Sequence, residues 1–176
     1  RYHKPTGSEG FEAVARYFEE KAKEYGLEDV RYIKQPFDGQ NWTSKLGELW
    51  LTEPEERRLA FSPEVQLSLA DYSRSTDITS AELVDVGDGV AESDYAGKQV
   101  AGAIVLASGP VGQVMEEAVW KRGALGLVVF TMSPRRIHDF PDQLQYLRIP
   151  IASRDGTKQG TFAFELSNRE GMYLRR

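Results

Sequence analysis

The chain has 176 residues, 40% of them hydrophobic and 28% charged, which suits a globular domain with a sizeable core. Its formal net charge of -5 argues against a nucleic-acid partner, because phosphate-backbone binding draws on clustered Lys and Arg. No cysteine is present, so disulfides, thiolate zinc sites and a Cys nucleophile are excluded.

Thr6-Gly7-Ser8-Glu9 fits a capping box, with Thr6 as N-cap and Glu9 reaching back to its amide. Phe11, Val14, Ala15, Phe18, Ala22 and Tyr25 follow at helical spacing, and Gly26 supplies a left-handed stop. The pattern predicts an amphipathic helix over 7–25. Short strands are expected at Val30 to Lys34 and at Gly47 to Leu51, with a turn at Asp38-Gly39 and Asn41 between them. Pro54 ends the second. Residues 53–79 read as a loop with one short strand, suggested by the alternation of Leu67 and Leu69.

Ala81 to Val86 reads as a strand that ends in the tight turn Gly87-Asp88-Gly89. Ala103 to Ala107 and Leu127 to Phe130 are uninterrupted apolar runs, as in strands buried on both faces. Between them Val111, Val114, Met115, Ala118 and Val119 share a helical face, and Gly123 closes the helix. Strand, helix and strand make a parallel crossover the default. Ser133 to Arg148 is a Pro- and charge-rich loop. Ile149-Pro150-Ile151 reads as a short strand, and Phe162, Phe164 and Leu166 alternate as a strand with one wetter face. Ser167 caps the start of a last helix. The abrupt ends at Arg1 and Arg176 suggest a piece of a longer polypeptide. No apolar run approaches the roughly 18 residues that span a bilayer, and no signal-peptide pattern is present.

Reactive groups are sparse. His3 and His138 are the only histidines. His138-Asp139 with Asp142 could hold a metal weakly, or could simply be a polar surface loop. Asp85, Asp88 and Asp94 flank two glycines, an oxygen-rich arrangement that turn chemistry explains as well as a cation does. Gly109 to Gly112 opens a helix after a strand but lacks the three glycines of a dinucleotide fingerprint. Arg135-Arg136 could clamp a carboxylate in bidentate fashion, and Trp42, Trp50 and Trp120 could line a sugar platform or a core. Asn41-Trp42-Thr43 is a formal glycosylation sequon. No set of residues supplies nucleophile or metal, base and orienting group together, so no catalytic and no metal-binding residue is assigned. Arg135, Arg136 and His138 remain as candidates for substrate or partner contact.

The segment Ala81 to Phe130 resembles the protease-associated domain. The likeness lies in ELVDVGDG, the Asp and Gly of SDYAGK, VAGAIVLASGP, and a helix ending in KRGALGLVVF; the later RIPIAS also fits. Ala103 departs from the usual Lys. Arg1 to Arg58 is similar to the N-terminal segment of the zinc aminopeptidase family that includes glutamate carboxypeptidase and the transferrin receptor, through a Thr-Gly-Ser helix start, YGLEDVRY and a strand ending LTEP.

The resemblance implies an α+β fold: a β-rich sandwich or open barrel of the protease-associated type, with flanking helices, one strand-helix-strand crossover and the N-terminal amphipathic helix. It divides the chain into 1–58, belonging to the parent peptidase, 59–166, the protease-associated domain, and 167–176, leading to a catalytic domain. The family's His-x-Asp zinc motif, bridging Asp and Glu-Glu pair have no counterparts here. The resemblance therefore implies a non-catalytic part with no cofactor of its own, and two zinc ions in the parent's catalytic domain. The implied partners are that catalytic domain, peptide substrate and a second copy of the chain, in an exported protein. A stand-alone peptide-binding module of a cell-surface or sorting receptor is the alternative, and a small enzyme built on His138 and nearby acids is a third reading.

Overall fold

The computed structural model describes residues 7–36, 38, 41–77, 80–130, 133 and 137–176. They form two compact units, divided between Thr43 and Ser44.

In the first unit, helix α1 spans Glu9–Glu24. Its N-cap is Ser8, whose Oγ accepts the amide of Phe11 at 3.2 Å. The cap thus falls two residues after the expected Thr6, which lies outside the described residues. At the other end Gly26 has φ of +80°. Its amide donates to the Lys23 carbonyl at 3.0 Å and that of Leu27 to Ala22 at 3.1 Å, the paired bonds of a Schellman cap. The apolar stripe exists but is not buried: Phe18 is 66% and Tyr25 78% exposed. The strand expected at Val30 to Lys34 does not form; these residues join no sheet. Instead the Lys34 ammonium reaches α1 and shares the Glu12 carboxylate with Arg16, at 2.8 and 2.7 Å. Those hydrogen bonds, Lys34's first, pull the Glu12 carboxyl down to about 2.

The second unit opens with a hairpin. β1 (Glu48–Leu51) pairs antiparallel with β2 (Arg57–Phe61). β2 corrects the loop expected there. Its charged start conceals a strand, because the Arg57 guanidinium lies over the Tyr173 ring at 4.4 Å and that of Arg58 over the Phe61 ring at 4.6 Å, so both charged heads find partners on aromatic faces. The strand suggested by Leu67 and Leu69 is instead a 3-10 turn, Gln66–Ser68, followed by a single bridge from Leu69 to Phe164.

The main sheet holds β3 (Leu83–Asp85), β4 (Ile104–Ala107), β5 (Gly126–Val129) and β6 (Phe162–Glu165), all parallel and in that order. Every residue of β4, β5 and β6 is buried. Each large aliphatic side chain so placed contributes about 1.5–3 kcal/mol. Helix α2 makes the expected crossover from β4 to β5. It begins as an α-helix at Val111–Val114 and continues as a π-helix at Met115–Trp120. Val114, Met115 and Ala118 pack in one cluster with Val105, Ala107, Leu127, Val129 and Ala163.

β6 was expected to have a wetter face, yet it is buried throughout. Residues 69–74 lie along its outer edge, where Ala70 N–H donates to the Ala163 carbonyl at 2.9 Å and Arg74 N–H to that of Thr161 at 3.0 Å. This covers an edge that would otherwise present open backbone groups. Ile149-Pro150-Ile151 is not a strand. Proline has no amide to donate, and only isolated bridges form nearby, Asp71 to Arg148 and Ala152 to Gln159. The chain closes with α3 (Asn168–Leu174), whose expected N-cap Ser167 accepts the Glu170 amide at 3.2 Å. Among the described residues the fold is α+β, with two sheets, flanking helices and a strand-helix-strand crossover from β4 to β5, and the four-stranded sheet is open rather than closed into a barrel.

Candidate functional site

Parallel sheets gather ligands beyond the carboxyl ends of their strands, where loops diverge and helices begin. Here a cleft of about 570 Å³ occupies that position. Ser108 and Gly109 follow β4, Pro110, Val111 and Gly112 start α2, Phe130 follows β5, and Glu165 ends β6; Gln145 and Leu147 close the side.

The turn out of β4 is tightly specified. A Cβ on Gly109 would come within 2.4 Å of the Asp88 carbonyl, the same oxygen that accepts the Gly109 amide at 2.9 Å. Only glycine fits this approach. Pro110 then N-caps α2 without any side-chain capping bond.

Glu165 is 1% exposed, an unusual position for a carboxylate. Its Oε1 accepts the backbone amide of Gln145 at 3.1 Å, tying the end of β6 to the loop at the cleft's side. Around it the wall is largely apolar: Pro110, Val111, Val129, Phe130 and Leu147. Such a surface can hold a small or extended ligand by apolar contact, with Ser133, Gln145 and Glu165 as polar reference points.

The three aspartates of the acidic turn are occupied by protein groups. Asp85 accepts both arms of the Arg175 guanidinium, at 2.9 and 3.0 Å, and the Gly87 amide at 3.0 Å. Asp88 Oδ1 accepts the Ser108 hydroxyl at 2.8 Å. Asp94 accepts the amides of Val90 and Ala91, both at 2.9 Å, and these backbone hydrogen bonds lower its carboxyl below the usual range. Local backbone amides hold Asp94 and part of Asp85, while Arg175 and Ser108 from elsewhere in the chain hold Asp85 and Asp88. Ser108 is likewise committed, since its hydroxyl also accepts from Arg175 at 3.3 Å.

Of the residues singled out in the sequence, Arg135, Arg136 and His3 lie outside the described residues. His138 is exposed. Its neighbour Asp142 is held by Arg169 in a bidentate pair at 2.6 and 3.0 Å, and that hydrogen bonding lowers the Asp142 carboxyl. Among the described residues no group of three or more His, Asp and Glu is placed to hold a metal ion. The Trp120 indole donates to the Gln159 carbonyl at 2.9 Å. The Gly109–Gly112 turn was visible in the sequence as a strand-to-helix junction. Glu165, Gln145 and Leu147 were not singled out, because a Glu in an alternating strand reads as a solvent-facing residue.

No protein-family profile matches the chain, and no curated protein matches it. Among solved structures it is similar to a zinc aminopeptidase from Bacillus subtilis, with a TM-score of 0.58 and 16% identity over 97% of this chain and 36% of that one. A weaker likeness, with a TM-score of 0.44 and 20% identity, is to the aminopeptidase of Aneurinibacillus sp. strain AM-1, over 99% of this chain and 37% of that one. The chain therefore shares the fold of the Bacillus subtilis enzyme over little more than a third of that enzyme's length.

Proposed function

We propose that this chain is the non-catalytic, protease-associated part of a larger di-zinc exopeptidase. In this reading it covers or shapes the active-site cleft of a catalytic domain and contacts peptide substrate or protein partners. The observation that carries the proposal is the lopsided coverage: 97% of this chain superposes on 36% of a zinc aminopeptidase. An accessory portion would match in this way. The segment Ala81 to Phe130, whose sequence resembles a protease-associated domain, supports the reading through its β3, β4, α2 and β5. The two zinc ions belong to the proposed catalytic domain; among the described residues, no group of three or more acids and histidines is placed to hold a metal ion. An exported setting and contact between copies of the chain follow from the same reading.

A second reading is a stand-alone peptide-binding module, and the apolar-walled cleft favours it. The coding sequence of the parent protein discriminates. A His-x-Asp motif with a following Glu-Glu pair beyond Arg176 is the expected result. A membrane-spanning segment there, with no such motifs, would overturn the peptidase reading in favour of the receptor module.

A further inference from the structure

Helix α3 has seven residues, too few to hold a helix unaided in water. Its order depends on what it touches, and two of its contacts are with the cleft. At its middle Gly171 lies flat on Phe130, where an added Cβ would come within 2.1 Å of the ring. Just past its end Arg175 covers the same ring at 4.7 Å. Phe130 is 2% exposed and forms part of the cleft wall, so α3 supplies the back of that wall.

Arg175 also binds the cleft's lip. Its Nη2 donates to the Gly87 carbonyl at 2.8 Å and to Asp85 Oδ1 at 3.0 Å, its Nε to Asp85 Oδ2 at 2.9 Å, and its Nη1 to the Ser108 hydroxyl at 3.3 Å. The Gly87 carbonyl in turn accepts the Ser108 amide at 2.9 Å, and the Asp88 carbonyl accepts that of Gly109. One guanidinium thus joins the end of α3 to the turn after β3 and to the first cleft residue after β4. Charge-assisted, bidentate bonds of this kind are the strong ones.

We infer that α3 is a strap whose docking through Arg175 sets the shape of the cleft. When the strap is seated, Phe130 and Ser108 are held in place. When it lifts, Phe130 loses its cover and the Gly87 to Gly109 lip loses its brace. Linkage makes the effect mutual: whatever fills the cleft favours the seated strap, and whatever orders or pulls on the residues after Leu174 alters the cleft. The inference stands on these contacts and does not depend on the peptidase reading.

The test is hydrogen exchange on the full chain with Arg175→Ala, Arg175→Lys, Ser108→Ala and the Arg175→Ala/Ser108→Ala pair. Arg175→Ala is expected to speed exchange at Gly109, Gly171 and Arg175 by roughly ten-fold or more, while the β4 and β5 amides keep their protection. Arg175→Lys should restore part of the slowing. Ser108→Ala should speed exchange at Gly171 and Arg175 by a smaller factor, and the double variant should fall short of the product of the two. Unchanged exchange at Gly109, a uniform rise through β4 and β5, or strictly multiplicative effects would each overturn the inference.

Discussion

The two units are held together by different physics. The described residues of the first unit show local contacts at the surface: a capped helix, i to i+4 ion pairs such as Glu12 with Arg16, and a reach from Lys34 back to α1. The helix has no buried residue. Residues 44–176 rely on a parallel sheet whose central strands are buried on both faces and whose partners are far apart in sequence. Local contacts in water are worth tenths of a kcal/mol, and buried apolar side chains a few kcal/mol each. Sensitivity to mutation should therefore differ sharply between the units.

The largest effect should come from Leu127→Ala, which empties a fully buried position between β4 and β6. A loss of about 2–5 kcal/mol is expected in urea unfolding followed by near-ultraviolet circular dichroism. A cost under about 1 kcal/mol would show that the sheet is looser than its burial suggests. Next is Gly109→Ala, which drives a methyl against the Asp88 carbonyl and should cost about 1–3 kcal/mol. Arg57→Ala removes a contact with Glu170 at 2.7 Å and a ring contact with Tyr173, both partly exposed, and should cost about 1 kcal/mol.

The smallest effect belongs to Glu12. Its carboxyl is drawn from 4.5 to about 2 in the folded chain. A depressed folded value means that the contribution is present above the unfolded value and is lost as pH falls from about 4.5 towards 2. Far-ultraviolet helix signal should decline slightly across that window in the parent chain and show no such step in Glu12→Gln, with the urea midpoint of the sheet at pH 7 unchanged. A shift of that midpoint would break the contrast between the units.

The same contrast explains what the sequence made legible. α1, its glycine stop, β4, β5 and the crossover carry uninterrupted local signals: helical spacing, a left-handed glycine, runs of aliphatic residues. Where tertiary contacts decide, the signals mislead. β2 hides behind Arg57 and Arg58, whose guanidinium groups lie on aromatic rings supplied partly by α3. β6 reads as half wet because nothing local announces that residues 69–74 will run along its edge. Val30 to Lys34 has strand-forming residues but finds no partner strand. The cleft was half visible. Its glycine turn is a local feature, whereas Glu165 becomes a wall residue only when β6 docks beside β5 and the Gln145 amide arrives.

The proposed division of labour, with binding surface here and hydrolysis elsewhere, is tested most directly by one paired measurement on this chain. Zinc would be titrated by calorimetry, and the same sample assayed against aminoacyl p-nitroanilides with zinc present. No saturable zinc binding and no turnover above the zinc-only control are expected. Stoichiometric zinc binding with turnover that His138→Ala abolishes would contradict it.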